Sequence, residues 1–234
     1  MPDHTDARSR DFGGIADIIY DDFDYGAHRV TGSASEALDW IGRSSLPEED
    51  KAALRVFVAR FPGIVFHRDE AALLDHLERR NAVVLPSWLR EVRQVLSGPG
   101  PEVQVRLDFD RHNPPADHDG NDYDESDSDD LWYEDNFFGY RQDEERDLLK
   151  NGAECYPILS ATTSVNYLLA ADLGNPDNRH IVDVCDEDVM DDLHDGRPGT
   201  DSVSSAFVSY ASMLTYVIEC RTEDGTVVRA LDLA

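Results

Sequence analysis

The chain has 234 residues, 41% hydrophobic and 30% charged, and its 49 acidic against 21 basic residues give a net charge of −28. Phosphate binding needs clustered Lys and Arg, so nucleic acid and anionic membranes are disfavoured as partners. No apolar run approaches the ~18–20 residues that span a bilayer, and the start of the chain lacks the basic and apolar regions of a secretory signal. The expected setting is cytoplasmic, with Cys155, Cys185 and Cys220 as reduced thiols, because they are scattered, odd in number and never form C-x-x-C.

Residues 1–35 read as a polar, acidic extension in which Gly13, Gly14, Gly26 and Gly32 interrupt any long element; Ile15, Ile18 and Ile19 allow one short docking turn. A body follows over 36–234. Ser45-Leu46-Pro47-Glu48 matches a capping box, and Glu48, Glu49 and Asp50 suit the positive end of a helix dipole. Ala53, Leu54, Phe57, Val58 and Phe61 then make a buried stripe ended by Pro62-Gly63, and Ile64–Phe66 reads as a short strand. Asp69 is placed to cap a second helix through about Arg80. The next helix is the most legible stretch of the chain. Trp88, Leu89, Val92, Val95 and Leu96 fall at i, i+1, i+4, i+7 and i+8 on one face. Pro86 suits its first turn, and Gly98 its stop.

After Pro99-Gly100-Pro101 the period changes from 3.6 to 2. Val103, Val105, Leu107 and Phe109 alternate with polar residues, the pattern of a strand with one wet face. Residues 111–135 form a long acidic insert, a self-repelling run with little to bury. From Glu154 the chain reads as sheet: Tyr156–Leu159, Val165–Ala171 and His180–Cys185 are strands, the last two joined by the turn-rich residues 173–178. Residues 187–200 read as a second acidic loop. Phe207, Tyr210, Leu214, Val217 and Ile218 suit a closing helix, and Thr226–Val228 an edge strand after Asp224-Gly225. Helices first and hairpin-linked strands afterwards predict an α+β domain with a mostly antiparallel sheet flanked by helices. No G-x-G-x-x-G follows a strand, which argues against a nucleotide-binding parallel sheet.

This order resembles the SUKH superfamily, α+β domains widespread as bacterial immunity proteins against polymorphic toxins and present in fungal cell-wall regulators. Leu85-Pro86 with the helix through Leu96, preceded by the helix from Asp69, looks like the family's Leu-Pro helix. Tyr156-Pro157-Ile158 looks like its Pro-Ile strand, Val165–Asp172 like its hydrophobic strand ending in an acid, and His180–Cys185 like the strand after it. Ser205-Ala206-Phe207, opening the closing helix, is similar to its Ser-Phe pattern. Together these span about residues 46–220. Two places depart from the pattern: Ser97-Gly98-Pro99-Gly100 stands where Asn-Gly is usual, and the acidic insert is longer than a typical connection. The resemblance implies a SUKH-like immunity protein that binds and neutralises a cognate toxin by stoichiometric occlusion, with no catalysis and no cofactor. A regulatory or scaffold module of the same fold is the alternative it leaves open.

The charge independently points to a basic target, such as a nuclease whose substrate groove is lined with Lys and Arg, with solubility and salt adaptation as the competing explanations of the acidity. The candidate docking element is the insert itself: Asp117, Asp119, Asp122, Asp124, Glu125, Asp127, Asp129 and Asp130, with Trp132 and Tyr133 as aromatic anchors, since buried aromatics dominate binding hot spots. Phe137 and Phe138 are expected to pack on the protein's own sheet. An EF-hand reading of the run from Asp117 places Asp119 and Asn121 but fails at Asp122 and Ser128, so a calcium-responsive acidic protein is a third possibility and no metal site is expected. The eight histidines are scattered, none in H-E-x-x-H or beside G-x-S-x-G, and no enzyme is expected. The oligomeric state is left open.

Overall fold

The N-terminal third alternates helices with the strands of a small sheet, and the rest of the chain builds a large one. The computed structural model describes residues 23–100, 102–108, 131–135, 137, 143–161 and 167–232. In chain order the strands are β1 (Arg29–Gly32), β2 (Phe66–Asp69), β3 (Gly98–Pro99), β4 (Gln104–Leu107), β5 (Trp132–Asp135), β6 (Cys155–Ala161), β7 (Tyr167–Asp172), β8 (Ile181–Cys185), β9 (Val203–Phe207), β10 (Val217–Arg221) and β11 (Val227–Arg229). The helices are α1 (Ala34–Arg43), α2 (Glu48–Arg60), α3 (Ala71–Asn81), α4 (Ser87–Val95), α5 (Asp143–Arg146, continued by a π turn to Gly152), α6 (Asp186–His194) and α7 (Tyr210–Thr215). Strands β1-β2-β3 form one sheet, and β11-β10-β4-β5-β6-β7-β8-β9 form an eight-stranded sheet. Every described pairing is antiparallel, so the α+β architecture with a large antiparallel sheet is as the segregated pattern predicts. Among the described residues, no helix is long and apolar enough to cross a membrane.

One apolar core runs from α1–α4 into the sheet, from Ile41, Phe57 and Leu74 to Ile158, Leu169 and Phe207. All seven residues of β6 are buried, as in a central strand covered on both faces. β4 alternates half-buried and buried positions, leaving one face of its neighbourhood open. Pro157 lies inside β6 and donates nothing to a ladder. The register with β7 shifts between Pro157 and Leu159, so the proline sits at an irregularity of that pairing, and the described pairing with β5 runs from Ala161 to Leu159.

Several local expectations give way to tertiary contacts. The capping box forms one helix earlier than expected: Ser33 accepts from the Glu36 N–H, and the Glu36 carboxylate accepts from the Ser33 N–H at 2.8 Å. Ser45 caps nothing, because α2 starts at Glu48 behind Pro47, whose backbone takes the N-cap position. The body accordingly begins before residue 36, with β1 paired to β2. Asp69 does not cap α3; Glu70 holds that position and Asp69 is buried at the end of β2. Gly98 is not the stop of α4, which ends at Val95; it lies in β3 at φ +140°, a conformation L side chains rarely adopt.

The stretch taken as an acidic loop over 187–200 contains α6 and a 3-10 turn (Gly199–Ser202). Val189 and Asp192 face inward there. Asp192 is gripped by Arg197 and Ser202, which satisfies a carboxylate that would otherwise keep the segment in water. The closing helix is much shorter than its stripe. Ser205, Ala206 and Phe207 belong to β9, only Tyr210–Thr215 are helical, and Val217 and Ile218 start β10. The edge strand after Asp224-Gly225 is present as β11.

Candidate binding surface

Asp135, the last residue of β5, turns its carboxylate into the buried interior. Inside, it meets Arg93, a fully buried arginine on α4. Arg93 lies four residues after Leu89 and three before Leu96, so it shares their inward stripe. Its Nε donates to Asp69 Oδ2 at 2.7 Å, both Nη atoms reach Asp135 at 3.4 Å, and Nη1 donates to the Tyr210 hydroxyl at 3.4 Å. The guanidinium also stacks 3.8 Å from the Phe137 ring centroid. Arg29 from β1 donates to Asp135 Oδ2 at 2.8 Å, with its Nε 3.5 Å from Asp69 Oδ1. Ser97 donates to Asp69 at 2.9 Å, and Tyr210 to the Ser97 carbonyl.

His67 completes the group. Its Nδ1 donates to the Pro99 carbonyl, and Nε2 lies 3.8 Å from Asp135 Oδ2. Burial above all, with Arg93 and Arg29 adding to it, pushes the imidazole down to about 4 against the pull of Asp135 and Asp69, so it is neutral at pH 7. Burial alone raises the Asp135 carboxyl, but Arg93 and Arg29 outweigh it and hold the group well below the usual carboxylate range. Two arginines and two aspartates then cancel. This balanced cluster ties β1, β2 and α4 to β5 of the large sheet and to α7. It is a staple, since every charge in it is answered within the protein.

Outside, the half-buried face of β4, β5 and β10 carries a polar lattice. Glu219 accepts from Arg106 at 3.0 Å and Arg229 at 2.9 Å. Arg221 Nε donates to Gln104 Oε1 at 2.8 Å, and its guanidinium carbon lies 4.3 Å from the Trp132 ring centroid. Antiparallel pairing brings these groups together: Gln104 is the partner of Arg221, and Trp132 that of Arg106. At the end of these strands a cleft of about 410 Å³ opens between β4–β5 and the β10–β11 turn. It is lined by Glu102, Gln104, Glu134, Asp135, Arg221 and Glu223 together with Val103, Thr222 and Gly225.

Of the residues put forward as a docking element, Asp117, Asp119, Asp122, Asp124, Glu125, Asp127, Asp129 and Asp130 lie outside the described residues, as does Phe138. Trp132 is half-buried on the open face. Tyr133 points to the opposite side and is 4% exposed, within the core; its ring has no surface to offer a partner in this fold, because adjacent strand residues alternate faces. Phe137 is buried, as expected. The cleft acids were not foreseen. Glu102, Glu134 and Glu223 are far apart in sequence, and only strand register unites them; Asp135 was read merely as the end of the insert. Burial pushes the Cys155 and Cys220 thiols up to about 12, so neither is a thiolate nucleophile at neutral pH. No family model, no curated protein and no solved structure matches this chain.

Proposed function

We propose that this chain is a SUKH-like immunity protein: it binds a cognate polymorphic toxin in the cytoplasm and neutralises it by stoichiometric occlusion. The favoured target is a basic nuclease whose Lys- and Arg-lined groove the acidic protein fills in place of phosphate. The observation that carries the reading is the net charge of −28 on an antiparallel α+β frame. Carboxylates fixed on such a frame steer a cationic partner and raise its association rate by roughly 10–10³-fold. The reading assigns no cofactor and no catalytic step. Trp132 and the acidic insert remain its docking candidates, without Tyr133.

The decisive experiment is co-expression with the product of the gene directly upstream. Growth rescue together with a 1:1 complex supports the assignment. Full toxicity with no complex formed overturns it.

A further inference from the structure

The two ends of the eight-stranded sheet are built differently. β11 closes one end with three residues, and Arg229 there keeps a side chain 83% exposed. β9 closes the other. Among the described residues no strand pairs with its outer side, and from Ser202 to Ile218 the chain carries no charged residue, in a sequence that is 30% charged. An edge strand is a template for another chain, and natural edges are blunted by charge, proline or a bulge. The bulge of β9 lies between Ser205 and Phe207, in its buried half. Ahead of it Val203, Ser204 and Ser205 pair regularly with Val184, Asp183 and Val182; Ser204 and Ser205 are exposed, and no charged residue or proline stands in the strand. The strand is also held in place. Ala206 and Phe207 anchor it in the core, and the Val203 N–H closes a 3-10 turn onto the Thr200 carbonyl. Directly after it, Val208 is 62% exposed.

We propose that the outer edge of β9 pairs antiparallel with the same edge of a second copy of this chain, joining two eight-stranded sheets across a two-fold axis. Charge chooses the occupant. Two bodies of −28 repel wherever their acids face each other, so they meet most readily along a neutral strip. A two-fold about Ser204 or Ser205 sets Val203–Ser205 against its own copy and places Asp201, the acid nearest the strand, opposite Phe207 or Ser209. The same operation on β11, about Val228, brings Asp224 opposite Asp232. Backbone hydrogen bonds supply the attraction, and Val208 gains cover beside the axis. So short an edge buries less than the roughly 1,200 Å² of a tight complex, which makes the dimer a weak, concentration-dependent one. Self-pairing goes beyond the proposed function and requires no toxin.

Salt separates this contact from one with a basic toxin. Screening weakens like-charge repulsion, so self-association should strengthen as salt rises from about 50 to about 500 mM, the range over which toxin binding weakens. Sedimentation equilibrium of the full chain from about 10 μM to about 1 mM reads the dimer. Hydrogen exchange should show protection of residues 203–208 that grows with protein concentration. Ser204→Lys/Ser205→Lys sets like charges across the axis while lowering the net negative charge, and should weaken the dimer roughly tenfold. Both positions are exposed, so its urea midpoint should match the parent's. Val227→Lys, on the opposite edge of the sheet, should leave the dimer unchanged. A chain that is monomeric at about 1 mM in high salt, a dimer that the lysine pair leaves intact, or one that salt dissolves overturns the proposal. Protection of 203–208 that appears only in a complex with the upstream gene's product also overturns it and gives the edge to that partner, leaving the immunity assignment standing.

Discussion

Arg93 shows how one residue type is read differently by spacing and by structure. In the sequence it is one charge within an amphipathic helix. In the fold it is fully buried with Asp69 and Asp135 as counter-ions. The signal was its position: four residues after Leu89 and three before Leu96 is the apolar stripe, not the wet face. Arg93→Met leaves two buried carboxylates short of a partner and should cost about 3–5 kcal/mol, read as a fall in the urea midpoint. His67 sets the acid response. Its folded pKa of about 4 lies below its ordinary 6.5, so between those values the unfolded chain binds a proton the folded one does not. Stability therefore falls as pH drops through that window, by up to about 3 kcal/mol. Asp135, whose carboxyl is depressed when folded, adds its own loss only below the ordinary carboxylate range. His67→Asn retains a donor towards Pro99 and should flatten the slope between pH 6.5 and 4; an unchanged slope would place the titration elsewhere.

At the scale of elements, helices with strong periodicity were legible and their ends were not. α2, α3 and α4 sit where their stripes put them, since an apolar face needs burial whatever the detailed fold. Caps depend on which backbone N–H groups are left open. Ser33 and Glu36 form the box that Ser45 and Glu48 only spell, so Ser33→Ala should cost about 1 kcal/mol and Ser45→Ala close to nothing. Thermal melts of the two variants would separate them, and equal effects would contradict this assignment. α6 was missed because its inward face is narrow and mixed, Val189 beside Asp192, and Asp192 is acceptable there only through Arg197 and Ser202. The stripe over 207–218 was misread for the opposite reason: Phe207 and Val217 are buried as strand residues on either side of a helix of six residues. Short apolar runs satisfy both periods, and sheet pairing chooses between them.

For the whole molecule, the net charge of −28 makes a long-range field of one sign, and the proposed function gives it a consequence for binding. Raising salt from about 50 to about 500 mM shortens the screening length from roughly 14 to roughly 4 Å. Association of the protein with the upstream gene's product should slow by roughly 10–100-fold over that range, with a smaller change in dissociation rate. Stopped-flow or biosensor kinetics would read this directly, and salt-independent association would remove charge from the mechanism. The sequence by itself determined the α+β class, the central strands from Tyr156 to Cys185, the helices over 48–95 and the sign of the surface, because periodicity and net charge are sums over residues that no contact needs to arrange. Only the tertiary structure decided that Arg93, Asp69, Asp135 and His67 meet, that Tyr133 turns inward while Trp132 stays on the open face, and that Glu102, Glu134 and Glu223 share one cleft. Those outcomes follow from antiparallel register and from the close approach of two sheets, which bring together residues that nothing in the linear order connects.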